Sequence, residues 1–342
     1  MKKILITGGA GFIGSNLALN LSKKNNFKVT VLDNLSRKGS EKNLELMKSF
    51  DINFLNIDIN DSDKITQNIR DEKYDYIFHL AAQVAMTTSI ENPRLDMSTN
   101  FISTFNILES IRLHSPSSVF IYTSSNKVYG DLGWDSYDET DSRYISKTFP
   151  RGYNESTPID FSGPYGCSKG SADFYTIDYC RTYKIKSIVL RLSTIYGPNQ
   201  YTTENQGWIG WFINQALDQI NSDKVVFEIA GDGKQVRDIL YVDDLIDLFN
   251  LIIESKNNNI FGTAYNVGGG AENSLSINEL INNFIKINIS GKEHSLIFNE
   301  RRLADQLVFI SSNEKTNKIF GWNPKINLDK GLKKYLNWLE SL

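Results

Sequence analysis

The first 125 residues alternate short apolar runs with polar, periodic stretches. Lys3 to Ile6, Lys28 to Leu32, Asn53 to Ile57, Tyr76 to Leu80 and Val119 to Thr123 are short runs that read as buried strands. Between them apolar residues recur at helical spacing, as at Phe101, Phe105, Ile107, Leu108 and Ile111. Strand alternating with helix predicts an α/β fold, a doubly wound parallel sheet with helices on both faces. The polar, aromatic stretch from Asp131 to Thr157 lacks a clear period and reads as a long loop over one end of the sheet.

A helix is expected from about Ser162 to Tyr183, and Ser187 to Leu190 returns to the sheet. Beyond it Gly197-Pro198, Gly231-Asp232-Gly233 and Gly268-Gly269-Gly270 punctuate shorter elements, and helices Ile277 to Ile287 and Leu328 to Leu342 close the chain. The expected division gives residues 1–191 to the sheet domain, with 237–268 returning to it. Residues 192–236 and 269–342 form a smaller, mostly C-terminal substrate-binding lobe. No internal repeat is present.

A length of 342 residues suits two such units at roughly 150 residues per domain. Lysine and arginine number 37 against 40 acidic residues, so no global basic field draws in nucleic acid or an anionic membrane. Met1-Lys2-Lys3 leads into Ile4-Leu5-Ile6 and then Thr7-Gly8-Gly9 without an export-type apolar core, and no apolar run approaches ~20 residues, which points to the cytoplasm. Two cysteines and three scattered histidines supply neither a metal site nor a Cys-His nucleophile.

Gly8, Gly11 and Gly14 follow the first strand directly and open the first helix. In that context Gly8 permits the tight turn, Gly11 lets the backbone approach a pyrophosphate and Gly14 lets helix pack on strand, the Rossmann arrangement. The alternative is a glycine turn without a ligand. Asp33, 19 residues after Gly14 at the end of the second strand, argues for a dinucleotide, since its carboxylate can accept hydrogen bonds from a ribose and would repel a 2'-phosphate. The expected cofactor is therefore NAD. Arg37 and Lys38 stand nearby, either at the cofactor or in a solvated loop. Asp58-Ile59 and Leu80-Ala81-Ala82 end the next strands, where an acid and an apolar side chain could meet the adenine and small residues could admit the cofactor.

Tyr165 and Lys169 lie four apart on the expected helix and share a face. A phenol with a pKa near ~10 is a poor base, but an ammonium and a cationic nicotinamide both favour its anion. The alternative, an exposed i, i+4 pair, does not account for Ser125 at the end of a strand, where its hydroxyl can hold a reacting sugar oxygen beside Tyr165. Cys167 points away from that face and is expected to pack. Trp208 and Trp211 could stack on a base or fill a core. Arg237 and Arg302 could fork onto a diphosphate or pair with Asp238 or Asp305.

T-G-G-A-G-F-I-G at Thr7 to Gly14, L-A-A at Leu80 to Ala82, S-S-N-K-V-Y-G at Ser124 to Gly130, Y-G-C-S-K at Tyr165 to Lys169 and R-D-I-L-Y-V-D-D at Arg237 to Asp244 resemble the extended short-chain dehydrogenase/reductase superfamily, whose members act mostly on nucleotide sugars. The resemblance runs on to G-W-N-P at Gly321 to Pro324. Q-V-A-M-T-T-S-I at Gln83 to Ile90, N-K-V-Y-G-D at Asn126 to Asp131, P-Y-G-C-S-K-G at Pro164 to Gly170, Q-G-W-I-G-W-F at Gln206 to Phe212 and G-K-Q-V-R-D at Gly233 to Asp238 resemble, more narrowly, the CDP-paratose (CDP-tyvelose) 2-epimerase family. This implies inversion at C2 of a CDP-linked hexose with bound NAD, in making an O-antigen sugar of lipopolysaccharide. Superfamily motifs alone also fit a nucleotide-sugar 4-epimerase, and the fold alone would fit an NAD-sensing regulator.

The resemblance further implies Ser125, Tyr165 and Lys169 as the catalytic set, with Phe12, Ile13, Asn34, Arg37 and Asn100 among the cofactor contacts. Gln83, Asn126, Thr194, Gln206, Gly207, Trp208, Arg237 and Arg302 would contact the substrate. Superfamily dehydratases carry an Asp-Glu pair after the catalytic hydroxyl residue. Here Asn126 and Lys127 stand there, which implies hydride transfer without dehydration. Relatives pair through the helices near Pro93 to His114 and Ser162 to Tyr183, so a homo-oligomer is expected.

Overall fold

The computed structural model describes residues 1–342. The strands begin with β1 (Lys2–Thr7), β2 (Phe27–Asp33), β3 (Ile52–Asn56), β4 (Tyr76–His79), β5 (Val119–Ser125), β6 (Tyr137–Glu139), β7 (Tyr144–Ser146) and β8 (Lys186–Leu192). They continue with β9 (Thr194–Tyr196), β10 (Val225–Ala230), β11 (Val236–Tyr241), β12 (Ala264–Val267), β13 (Ser274–Ser276), β14 (His294–Asn299) and β15 (Val308–Phe309). Seven of them form a parallel sheet in the order β12-β8-β5-β4-β1-β2-β3. The chain winds outward through β2 and β3, then crosses back to β4, so the order reverses beside β1. The crevice at the carboxyl ends of β1 and β4 is where such sheets bind ligands.

Alternation along β1 distributes its side chains to two cores. Ile4 and Ile6 pack with Leu17, Phe78, Leu245 and Phe249, under the helices Phe12–Ser22 and Val242–Glu254. Leu5 packs on the opposite face with Ile69, Ile77, Ile107 and Ala172, against Ser62–Glu72, Ser103–His114 and Gly163–Tyr183. Burial on both faces explains why these strands read as continuous apolar runs. The second lobe has its own core, including Phe212, Phe227, Ile281 and Leu336.

Three expectations need correction. Of residues 237–268, only the helix Val242–Glu254 and β12 join the large sheet. β12 occupies the edge beside β8, with Asn266 opposite Arg191, and β11 pairs instead with β9, β13 and β15. The stretch Asp131 to Thr157 is no simple loop over the sheet: β6 and β7 form a hairpin strapped to the second lobe, with the Tyr144 amide donating to the Lys234 carbonyl at 3.0 Å and Arg143 paired to Glu279. Residues Ile277 to Ile287 begin as an α-turn and widen into π-type winding over Leu280–Ser290; a shorter π segment, Ser98–Ile102, interrupts the helical run before β5. No helix is long and apolar enough to cross a membrane.

Candidate active site

The glycine turn closes over the switch point. Gly8 has φ +65, and a Cβ there would lie 2.7 Å from the Ala81 amide nitrogen, so the backbones of β1 and the Leu80-Ala81-Ala82 turn touch because no side chain intervenes. A Cβ on Gly14 would lie 2.3 Å from the Gly8 carbonyl oxygen, which fixes the close seating of the first helix. Gly11 is the N-cap of that helix, its own amide donating to the Gly8 carbonyl at 3.0 Å, and no side chain caps the helix, which leaves the amides of the following Phe12 and Ile13 free at the crevice. Phe12, Ile13, Leu80 and Ala82 line the cavity.

Asp33 ends β2 with one carboxylate oxygen accepting from the Ala10 amide at 3.0 Å and the other from the Leu35 amide at 2.8 Å. Burial raises its pKa, and these backbone donors oppose the rise. Asn34 donates to Asp58 at 2.8 Å, so these two polar candidates meet. Burial acts to raise the Asp58 pKa, but donors from Asn60 and Asn34 outweigh it and hold the carboxyl below its ordinary value. Ile59 is sunk in the core. Arg37 folds inward, with a buried Nη2 that has no protein partner, and its guanidinium feels both Tyr165 and Asp33.

Ser125, at the end of β5, shares one cavity of about 960 Å³ with Tyr165 and Lys169 from the helix Gly163–Tyr183. Lys169 is buried, donating to the Thr123 carbonyl at 2.6 Å and lying 4.3 Å from the Tyr122 ring centre. Burial brings its ammonium down to about 7, although Asp96 and Asp173 act the other way. Burial raises the Tyr165 pKa, with the Ser125 hydroxyl opposing. A nearby ammonium or other positive charge would favour the phenolate further. Cys167, expected to pack, is exposed.

Two of the expected contact residues, Asn100 and Gln83, lie beneath the cavity wall. Asn100 is 1% exposed, with Oδ1 accepting from the Gln83 amide at 2.9 Å and Nδ2 donating to the Gln83 carbonyl, Asp96 and Ser168. Gln83 spends its side chain on Ala85 and Asp96. Neither side chain reaches the cavity, because every polar atom is already engaged beneath it. Asp96, which sequence reasoning missed, is the hub: it is fully buried and accepts from Gln83, Asn100 and Ser168. The only sequence signal was an acid four residues before Asn100, which on a helix places both on one side.

The second lobe supplies the other wall. Asn126, Thr194, Gln206, Gly207, Trp208, Trp211, Arg237 and Arg302 all face the cavity. Asn126 also donates to Gln306 at 2.8 Å and accepts weakly from Ser125 at 3.2 Å. Arg237 pairs with Asp305 at 2.6 Å, one of the alternatives left open by the sequence, while still lining the cavity. It does not pair with Asp238, which is buried and accepts from Ser193, Ser311 and the Gly270 amide. Arg302 donates to the Glu204 carbonyl at 3.3 Å. Lys127 and Asp305 also line this wall; the sequence singled them out only for a missing carboxylate and a possible ion pair.

Comparison with known proteins places this geometry. A family model described as the NAD dependent epimerase/dehydratase family matches residues 4–268. The CDP-paratose 2-epimerase of Salmonella typhi is 42% identical over 342 residues, covering 99% of this chain and 100% of that protein. Among solved structures, UDP-glucose 4-epimerase with UDP-glucose from Thermotoga maritima is 29% identical with a TM-score of 0.82, covering 99% of each chain. The dTDP-glucose 4,6-dehydratase of Bacillus anthracis in complex with NAD is 26% identical with a TM-score of 0.80, covering 100% of this chain and 97% of that one.

Proposed function

The chain belongs to the NAD dependent epimerase/dehydratase family, and we propose that within it the protein inverts C2 of a CDP-linked hexose, in the manner of CDP-paratose to CDP-tyvelose. The observation that carries the C2 and CDP assignments is the 42% identity to the Salmonella typhi CDP-paratose 2-epimerase across both full lengths. Its cofactor is NAD. The uncapped first-turn amides that follow Gly11, the carboxylate of Asp33 and the unpartnered Arg37 guanidinium fit a dinucleotide diphosphate and ribose. When bound, NAD supplies the hydride acceptor and donor that a change of configuration at a carbinol carbon requires.

Tyr165 takes the proton from the C2 hydroxyl and later returns it, with Lys169 stabilising the phenolate and Ser125 holding the sugar oxygen. No net oxidation results if the same groups act on both faces of the intermediate ketone, so the nucleotide must be held firmly while the sugar turns. Arg237 and Arg302 supply that anchor at the diphosphate. Asn126 and Lys127, lining the cavity beside Ser125, offer no carboxylate for eliminating water, which favours epimerisation over 4,6-dehydration. The T. maritima 4-epimerase likeness supports inversion at C4 as the second reading, at lower identity than the 2-epimerase match.

The reaction is tested by NMR of products from CDP-, UDP-, GDP- and dTDP-hexoses, with CDP-paratose labelled by deuterium at C2. The label should stay at C2 in CDP-tyvelose, and turnover in heavy water should add none. Solvent deuterium at C2 would refute the hydride route, and exclusive inversion at C4 would refute the C2 assignment. The protein also acts as a homo-oligomer in this reading. Met97, Ile102, Leu113, Phe174, Tyr175 and Tyr183 are all exposed along the helices flanking Asn100 and following Tyr165. Light scattering of a Phe174→Glu variant tests that face: a mass equal to that of the unsubstituted oligomer would refute it.

A further inference from the structure

Two cations converge on one carboxylate in the cavity wall, and a third stands on the same wall. Lys127 Nζ lies 3.2 Å from Asp305 Oδ1, and Arg237 Nη2 lies 2.6 Å from the same atom. The side chains of Lys127 and Arg237 are each only 11% exposed, and Arg302 completes the group on the cavity wall. The other two acids of the cavity, Glu204 and Glu228, are exposed and pair with none of these cations. Lys127 and Arg237 share a single carboxylate, so the buried pair carries one positive charge in excess even before the exposed Arg302 is counted, and burying charge without compensation is costly. A diphosphate diester supplies the missing negative charge.

Lys127 is the cation joined most closely to the catalytic centre. It lies two residues beyond Ser125 on the turn Asn126–Tyr129, and its amide donates to the Ser125 hydroxyl at 3.2 Å. Its ammonium also donates to the Ala304 carbonyl at 3.4 Å, so the chain segment bearing Asp305 holds it at the edge of the sugar region. Resting on the nucleotide-sugar reading above, we propose that Lys127 is a third cationic ligand of the substrate diphosphate, gripping the phosphate next to the sugar after leaving Asp305. Burial pushes the Lys127 ammonium down, Asp305 opposes this, and Arg237 and Arg302 add to the fall, leaving it at about 8. An arriving anion raises that value, so binding should take up a proton near pH 8.

Calorimetry with CDP and CMP as probes, between pH 7.5 and 9.5 in buffers of different ionisation enthalpy, tests the proposal without requiring catalysis. CDP should bind the unsubstituted protein with proton uptake and weaken up to about ten-fold one pH unit above 8, as the ammonium empties. Lys127→Met should weaken CDP by about ten-fold or more and CMP by no more than about two-fold. Lys127→Arg, which stays charged, should keep CDP affinity within about three-fold and abolish the proton uptake. CDP binding to Lys127→Met within two-fold of the parent, equal losses for CDP and CMP, or unchanged proton uptake in Lys127→Arg would each overturn it. If Lys127→Met does not fold, as judged by its Tm, the arginine variant alone decides. CDP binding that behaves as described in a protein that epimerises no CDP-sugar would sink the reaction and leave this inference standing.

Discussion

Asp96 is where a single substitution reaches both the stability of the fold and the chemistry of the site. Its Oδ1 accepts from Gln83 Nε2 and Asn100 Nδ2 at 3.1 Å each, and its Oδ2 from Ser168 Oγ at 2.5 Å. In Asp96→Leu the serine can still turn to the Tyr165 carbonyl, 3.2 Å away, and still accept from Asn100 Nδ2 at 3.1 Å, but one N–H of Gln83 is left buried without an acceptor. At about 1–3 kcal/mol for the orphaned donor, added to about 1–2 kcal/mol for the charge-assisted bonds lost with the carboxylate, the loss is about 2–5 kcal/mol. Asp96→Asn keeps the volume and one acceptor, and its amide can donate to Ser168, so charge-assisted bonds become neutral ones at a cost of about 1–2 kcal/mol.

The same change acts on Lys169, because the Asp96 charge helps hold that ammonium up against a burial that brings it to about 7. Without the charge its pKa falls further. A lysine with a depressed pKa is protonated only below it, so support for the Tyr165 phenolate disappears at a lower pH. Urea midpoints should fall in the order parent, Asp96→Asn, Asp96→Leu, and the alkaline limb of the kcat profile should move to lower pH in Asp96→Asn. An unmoved limb, or Asp96→Leu as stable as Asp96→Asn, would refute this reasoning.

Tyr165→Phe should lower kcat by about 10²–10⁴-fold with little change in Tm or NAD content, since one proton-transfer group and almost no volume are removed; spectrophotometric NAD quantification and turnover assays check both. Lys169→Met should reduce turnover and NAD retention together, and undiminished cofactor content would count against a contact with the cofactor. Gly8→Ala places a methyl 2.7 Å from the Ala81 amide at φ +65, so NAD content should collapse and stability should drop by about 1–3 kcal/mol in denaturant titration.

What the sequence determined by itself was whatever depends on near neighbours along the chain. The apolar runs of β1, β2 and β5 announce strands buried on both sides, the Gly8-Gly11-Gly14 turn announces a crowded crossing of strand and helix, and Tyr165 with Lys169 share a face through the pitch of one helix. Contacts between distant segments were decided only by the tertiary structure. Whether Gln83 and Asn100 face a ligand or each other depends on Asp96 and Ser168, the latter 68 residues beyond Asn100, consuming their hydrogen-bonding capacity. Whether Lys127 is a solvated surface charge or a buried one depends on Asp305, 178 residues away, arriving from the second lobe. β11 likewise carries an apolar Ile239-Leu240-Tyr241 run but no mark of which sheet it joins, because the edge beside β8 is filled by β12 and β11 pairs with β9. A side chain's type sets what bonds it can make, and only the packed chain sets which partners reach it first.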